Sequence, residues 1–373
     1  MMRVALLTNF VPPYRVPVFR ALREEVGELR ILISTVMERD RPWSPDWGDL
    51  EVIVQRTWTL QRNFRHERFS QKYELHLPYD TIPQLARWRP DAILTAEFGT
   101  RTAQAIAYAK LVRVPVVIWA TLADHLERGR GWVRYCARRA LVRAAERVIV
   151  NGESGARYIR SIGGAEDLVA RVPYAIELEP FTSIPLGREP AQGRRLLFSG
   201  ALTERKGADL MVEGAALWGA RNPAESLSIT VVGDGPLGEE LRTAGLPSNV
   251  TIEWVGSVEY QQLPAYYASS GILLYPTRGD EWGLVVNEAM AAGLPVIGSV
   301  YSQAVDELVE EGRNGWRFTP DGPGSVAEAI TRARAAPEAA LAAMRAHARA
   351  TASRITPQRV GATIGALLRE ATA

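Results

Sequence analysis

One cysteine, Cys136, stands in 373 residues, so an internal disulfide framework and a multi-thiolate zinc or iron–sulfur site are both excluded. Histidine is scarce as well: the four, at positions 66, 76, 125 and 347, are far apart and form no local metal motif. No apolar stretch reaches the roughly 18–20 residues of a membrane span. The run over 3–11 is apolar, but Asn9 and the Pro12-Pro13 pair end it too early for a signal peptide. A cytoplasmic protein is the expectation.

What is present is ordinary for a soluble globular chain, with 47% hydrophobic and 23% charged residues. Disordered, collagen-like and coiled-coil chains are thereby excluded. At about 150 residues per domain the length predicts two or three domains. The net charge of +2 conceals an asymmetry: residues 1–190 hold 28 basic and 22 acidic side chains, the remainder 16 and 20. Nearly all the basic residues of the first half are arginine. That excess suits an anionic partner or a membrane surface and is too small for a nucleic-acid binder.

Short β-branched runs alternate with helical patterns. Strands are expected at 4–8, 29–34, 52–54, 92–95, 116–119, 148–150 and 169–172, with helices near 15–26, 79–88, 101–112, 131–146 and 153–162. The segment 177–195, with three prolines and two glycines, breaks the pattern and reads as an interdomain connection. The alternation then resumes, with strands at 196–199, 228–232, 251–254, 272–275 and 296–298 and helices near 207–219, 237–244, 260–269, 283–292, 303–311 and 324–335. The tail 337–372 is helical and broken near Thr356-Pro357. All-apolar runs joined by crossover-length helices predict an α/β protein of two tandem doubly wound, Rossmann-like domains facing across a cleft. The boundaries are 1–180, a linker at 181–195, 196–352, and a last helix over 353–373. Such sheets bind ligands at the carboxyl ends of their strands.

Three segments carry chemistry. In the first, the stretch from Gly283 to Gly293 is apolar nearly all round, a buried helix with one carboxylate, Glu288. A buried carboxylate needs a donor; a sugar diol, a lysine or backbone amides would each serve. Asp280 and Glu281 precede this helix, where acids complement its dipole, and Gly283 allows close backbone approach to its free amides. The second, Gly200-Ala201-Leu202-Thr203-Glu204-Arg205-Lys206-Gly207, opens a helix with two adjacent cations, which is unfavourable unless an anion sits between them or they point into solvent. The third, Gly233-Asp234-Gly235-Pro236-Leu237-Gly238, fits the dinucleotide fingerprint on paper, but on the second strand of its domain and with a rigid proline inside. No Asp-x-Asp occurs, so a nucleotide diphosphate would be neutralised by cations and helix dipoles, with no metal and no cofactor expected.

Together SGALTERKGADL, VVGDGPLGEEL, VTIEWVGSVEYQQLPAYYASSGILLYPT, GDEWGLVVNEAMAAGLPVIGS and VDELVEEGRNGWRF resemble the family 4 glycosyltransferases, a retaining group with the GT-B fold. The resemblance spans about 196–320; RVALLTNFVPPYRVPVF and RVIVNGESGARYI agree more loosely. It implies sugar transfer from a nucleotide diphosphate donor to a hydroxyl acceptor. Glu288 matches the second carboxylate of the family's E-x7-E and would bind the ribose. Lys206 matches the lysine on the diphosphate, and Gly283, Leu284 and Val285 would offer it amides. Gly200, Gly233 and Trp282 would line the donor, and Val255–Val258 the base. Two departures stand out: Asp280, followed by Glu281, occupies the first carboxylate's position, and Ala201 stands where arginine often follows the glycine, leaving Arg205 as the second cation.

On the first half, His125 follows the fifth strand expected there and is a candidate near the donor, with a surface-loop histidine as the alternative. Glu97 could bind acceptor hydroxyls or cap a helix, and Asn9, Tyr14 and Arg15 follow the first strand, where turn formation explains them equally well. Arg62, Arg65, Arg68 and Lys72 interleave with Phe64, Phe69 and Tyr73, and Arg128, Arg130, Arg134, Arg138, Arg139 and Arg143 cluster around one helix. Such stretches suit anionic lipid headgroups and a lipid-linked acceptor, or simply a solvated arginine-rich surface. A nucleotide-sugar isomerase, a non-catalytic nucleotide-sugar-binding subunit and, on the 233–238 glycines alone, a nicotinamide oxidoreductase are the competing classes.

Overall fold

A computed structural model describes residues 1–38, 46–127 and 129–373, without the side chains of Phe64, Arg65, Gln71 and Lys72. Arg128, and the side chains of Phe64, Arg65 and Lys72 from the earlier basic-aromatic stretch, therefore lie outside the described set. The chain forms two compact units: 1–64, 72–177 and 355–373 make the first, 65–71 and 178–354 the second.

Up to residue 177 the strands are β1 (Met2–Thr8), β2 (Gly27–Ile33), β3 (Glu51–Val54), β4 (Thr57–Arg65), β5 (Ser70–Pro78), β6 (Ala92–Thr95), β7 (Val116–Ala120), β8 (Arg147–Val150) and β9 (Val169–Arg171), all in the first unit but for the facing ends of β4 and β5. Seven of them form one parallel sheet, in the order β3-β2-β1-β6-β7-β8-β9. Val4, Ala5, Leu6 and Leu7 of β1 are all buried, as required of a central strand covered on both faces. Val4 pairs with Leu29 on one side and Ala92 on the other. The order therefore reverses between β1 and β6, the switch point at which α/β sheets place ligands beyond the strands' carboxyl ends.

The second unit repeats the plan with β10 (Leu196–Ser199), β11 (Leu227–Val232), β12 (Val250–Gly256), β13 (Ile272–Tyr275), β14 (Val296–Ser299) and β15 (Gly315–Phe318). Their order is β12-β11-β10-β13-β14-β15, so the switch lies between β10 and β13. Phe198, Trp218, Leu274 and Ile330 belong to one buried core there. Two helices over that sheet, Ala208–Arg221 and Pro323–Arg334, approach so closely that a Cβ on Gly214 would stand 2.6 Å from Val326. The fold is thus two Rossmann-like parallel-sheet domains.

Residues 181–195, expected as a connection, group with the second unit, where Arg188 donates to the carbonyls of Ser270 (3.1 Å) and Ala292 (3.0 Å). The tail breaks at Thr356, whose hydroxyl caps the last helix, Pro357–Thr372, by accepting from the Arg359 amide at 3.2 Å. That helix packs on Val16–Val26 of the first unit, with Gly361 against Ala21 and Leu22. Two expectations need correction. β4 and β5 form a separate two-stranded sheet, and β15 adds a sixth strand to the second. Neither shows in the sequence as an apolar run: residues 58–63 are exposed throughout, and β15 is a four-residue edge strand carrying the exposed Arg317.

Candidate functional site

In the second unit the loops after β10 and β13 flank the switch point and are stitched together. Gly207 has φ +70°, and a Cβ there would overlap the Pro276 carbonyl, so the first loop lies directly on the second. The Arg205 carbonyl accepts from the Arg278 amide and the Thr277 hydroxyl, both at 2.9 Å. The Arg278 guanidinium forks onto Asp209 at 2.6 and 2.5 Å and also donates to the Glu204 carbonyl at 2.7 Å. This double tether fixes the backbone that carries Arg205 and Lys206.

The Lys206 ammonium donates to Asp280 and, at 3.3 Å, to the Tyr275 hydroxyl, which itself donates to Asp280. Arg205 pairs with Glu281 at 3.3 Å. Burial presses the Lys206 pKa down while Asp280 pulls it up. Asp280, although buried, is held well below the usual carboxylate range by Lys206 and Arg205. For Arg205 burial is outweighed by Glu281, Asp280 and Tyr275, and its pKa is raised. The adjacent cations expected to need an external anion are therefore balanced by the protein's own carboxylates, and their adjacency alone does not demand a ligand. The two acids also separate: the Asp280 side chain is 10% exposed and committed to Lys206, while Glu281 is 41% exposed.

Beyond Glu281 the chain turns into the helix Leu284–Ala291 through Gly283, whose φ is +104°. A Cβ there would stand 2.7 Å from Ser302 Oγ and 3.0 Å from the Tyr275 ring, so only glycine fits. The Ser302 hydroxyl donates to the Trp282 carbonyl at 2.6 Å, and Gln303 donates to the Glu281 carbonyl at 2.7 Å. The first amides of the helix, on Leu284 and Val285, have no intrahelical acceptor and carry the positive end of its dipole. Trp282 was expected to touch the donor. Instead its ring is buried, and its Nε1 donates to Asn287 Oδ1 at 2.8 Å. It anchors the turn from below.

Glu288 is buried on the same helix and accepts from the Tyr267 hydroxyl at 2.7 Å. Burial pushes its pKa to about 7, against the opposing pull of that hydrogen bond. Tyr267 also bonds Ser199, the last residue of β10, which places Glu288 at that strand's carboxyl end. The donor this carboxylate required is thus a neutral hydroxyl, neither a lysine nor backbone amides. Gly200, with φ +151°, has open space where a Cβ would be. Gly233 and Gly235 are packed against the carbonyls of Gly200 and Leu202, where a Cβ would clash. Loop packing therefore accounts for two glycines of the dinucleotide-like fingerprint, and the helix after it, Gly238–Arg242, is a single turn. Val255 and Val258, half-buried, lie at and just after the end of β12.

The first-unit candidates gather at the ends of their strands. The fully buried Arg101 donates to Glu97 at 2.8 Å, to Asn9 at 3.1 Å and to Ser34, tying the ends of β1, β2 and β6 together. Tyr14 and Arg15 stand on the 3₁₀ turn after β1, Pro13–Arg15. The Arg15 guanidinium lies over the rings of Trp119 (4.5 Å) and Tyr174 (4.2 Å) and donates to the Thr121 hydroxyl at 3.4 Å. Burial holds its pKa down to about 10. His125 is half-buried on the single turn Asp124–Glu127 that follows β7. In the basic stretches Phe69 and Arg138 are buried, and Arg68 stacks over Tyr301 at 3.7 Å, so these three do not belong to an open docking face.

Sequence reasoning missed Arg101, Tyr267, Tyr275, Arg278 and Ser302. All hold functional groups in place, and each has a partner 20 or more residues away, Asn9 for Arg101, Glu288 for Tyr267, Lys206 for Tyr275, Asp209 for Arg278 and Trp282 for Ser302. One usable signal was overlooked: Lys206 is the only lysine after position 110 in an arginine-rich chain.

Residues 193–335 match the family model described as "Glycosyl transferases group 1". The chain is 27% identical over 272 residues to the sulfoquinovosyl transferase SQD2 of Arabidopsis thaliana, covering 68% of this chain and 51% of that one. It is 26% identical over 340 residues to a GDP-mannose-dependent alpha-(1-6)-phosphatidylinositol monomannoside mannosyltransferase of Mycobacterium tuberculosis, covering 84% of each. The chain spans about half the length of most of the curated relatives it matches. Among solved structures it is similar to Anabaena Alr3699/HepE in complex with UDP, with a TM-score of 0.74 at 16% identity, covering 99% of this chain and 100% of that one. The chain thus has the GT-B fold, and its residues 193–335 carry the group 1 glycosyltransferase pattern.

Proposed function

We propose that this chain is a retaining glycosyltransferase that moves a sugar from a nucleotide diphosphate donor to a hydroxyl acceptor. The observation that carries the reading is the convergence of Lys206 and Arg205 with the residues that open the helix Leu284–Ala291. In this reading the diphosphate lies against those two cations and the amides of Gly283, Leu284 and Val285, near Gly200 and Gly233. The ribose diol donates to Glu288, and the base borders Val255–Val258. Glu281, the more exposed acid, receives the sugar hydroxyls, while Asp280 and Tyr275 position the Lys206 ammonium.

Charge dictates the chemistry. The bond from the anomeric carbon to the phosphate oxygen breaks toward an oxocarbenium-like state, and negative charge grows on the diphosphate. Lys206, Arg205 and the helix amides stabilise that charge more in the transition state than in the ground state. The acceptor oxygen joins the anomeric carbon on the face the phosphate leaves, and the acceptor proton passes to the departing phosphate oxygen. Bonds and charge balance with no separate general base, and no metal is required.

Asn9, Tyr14, Arg15 and Glu97 are assigned to the acceptor, and His125 to the sugar. A glycolipid or polysaccharide precursor at the cytoplasmic face of a membrane is the acceptor class favoured. The mycobacterial relative is named for a phosphatidylinositol mannoside, and the exposed aromatics Trp132 and Tyr135 stand beside Arg134 here. No helix among the described residues is long and apolar enough to cross a membrane, so contact would be peripheral.

Incubation with UDP-, GDP-, ADP- and dTDP-sugars, reading binding and slow donor hydrolysis, tests the assignment. Binding of one donor, with the α or β configuration kept in the product by NMR, is expected. Failure to bind any donor would overturn the reading, and inversion would overturn its stereochemistry.

A further inference from the structure

The helix Trp132–Ala144 of the first unit begins beside a cavity of about 220 Å³, several times a water's share of about 30 Å³. Its walls include Glu127, Arg130, Arg134, Trp132, Tyr135 and Tyr158. Glu127 is the one acid among the lining residues, and its side chain is only 7% exposed. Three guanidiniums converge on it: Arg138 at 2.7 Å, Arg134 at 3.3 Å and Arg130 at 3.6 Å. One carboxylate thus faces three guanidiniums, and Arg130 also donates to the Leu126 carbonyl at 2.9 Å. Arg138 is further engaged by the Tyr158 hydroxyl at 2.9 Å. The Arg134 Nε, by contrast, is buried without an acceptor among the described residues, an omission that costs free energy until an acceptor is supplied. Mutual repulsion among these guanidiniums also lowers the Arg134 pKa, although burial is the larger cause.

The rim is of the opposite character. Trp132 is 76% exposed and Val133 is 75% exposed, at the first two positions of the helix. Gly129 and Gly131, both at positive φ, bring the chain to them, and a Cβ on either would meet nothing within 4 Å. A bare tryptophan beside a valine has no folding role at that exposure. Next to an electropositive pocket it has the composition of a membrane-interface anchor.

We propose that this pocket binds the phosphate of an anionic phospholipid, with Arg130 and Arg134 on the phosphate and Trp132 and Val133 inserted at headgroup depth. The proposal deepens the membrane-contact part of the reading above and is independent of donor chemistry. Charge complementarity names the ligand class, and the apolar rim selects a bilayer over a free anion.

Flotation of the full chain with phosphatidylcholine vesicles, alone or containing phosphatidylglycerol, tests it. Flotation should require phosphatidylglycerol. Trp132→Ala should lower partitioning about tenfold. Arg134→Gln should lower it about fivefold on anionic vesicles and weaken its salt dependence. Both variants should keep the circular-dichroism melt of the parent and its nucleotide-sugar binding. Loss of flotation with donor binding intact therefore separates this site from the donor site. Equal flotation of parent and variants, or equal flotation on neutral vesicles, would overturn the proposal. So would displacement from the vesicles by inorganic phosphate at the concentration of the lipid headgroups, which would assign the pocket to a soluble anion.

Discussion

Replacing Glu288 by glutamine isolates the strain of a buried carboxylate. In the folded protein burial raises the Glu288 pKa from 4.5 to about 7. A folded-state value above the unfolded one means that the fold holds the proton more tightly than the unfolded chain does. The resulting stabilisation is complete below about pH 4.5 and is lost as pH rises through about 7. Above that, the native state carries an ionised buried carboxylate at a cost of roughly 3 kcal/mol, at about 1.4 kcal/mol for each tenfold change in the equilibrium. Glutamine is neutral throughout and still accepts from the Tyr267 hydroxyl. Glu288→Gln should therefore match the parent within about 0.5 kcal/mol near pH 4 and exceed it by roughly 3 kcal/mol above about pH 8. Urea unfolding of both proteins across that range measures the difference, and other titrating groups cancel in it. A difference that does not change with pH would refute the reasoning. The same variant should bind a nucleotide donor about ten- to a hundredfold more weakly, because the ribose diol loses a charged acceptor. In the parent, donor affinity should rise with pH up to about 7 and then level, since the diol favours the ionised carboxylate.

Lys206→Met should lower turnover about a hundred- to a thousandfold and destabilise the fold by stranding Asp280, whereas Lys206→Met with Asp280→Asn should recover stability without activity in steady-state kinetics and thermal melts. Gly283→Ala, forced to a φ of +104° with its Cβ against Ser302 and Tyr275, should cost about 1–3 kcal/mol in urea unfolding and weaken donor binding in calorimetry. Arg101→Met should destabilise the first unit by about 3 kcal/mol in the same unfolding assay, since Glu97, Asn9 and Ser34 lose their common donor, and should leave donor binding intact.

The sheet cores were legible because β1, β6, β10 and β13 are short all-apolar runs, and burial on both faces leaves that imprint. Lys206, Glu288 and Gly283 were legible because a polar or glycine residue inside an apolar frame has few reasons to be there. The supporting shell was not. Arg278 reads as one arginine among many until the fold sets it on Asp209, 69 residues away, and Tyr267 reads as core until its hydroxyl reaches Glu288. Trp282 misled for the converse reason: the resemblance implied a donor contact, while the fold buries its ring on Asn287. The surface stretch around Arg138 and Phe69 misled because composition does not reveal which members of a basic-aromatic run turn inward.

The affinity of a nucleoside diphosphate compared with its phosphate-free nucleoside, measured by calorimetry on the parent and on Lys206→Met, tests the diphosphate site most directly. The diphosphate should bind the parent at least about a hundredfold more tightly than the nucleoside, and Lys206→Met should remove most of that margin while sparing nucleoside binding. Equal affinity for the two compounds, or a margin that survives loss of the ammonium, would contradict a diphosphate seat between Lys206, Arg205 and the helix that begins at Leu284.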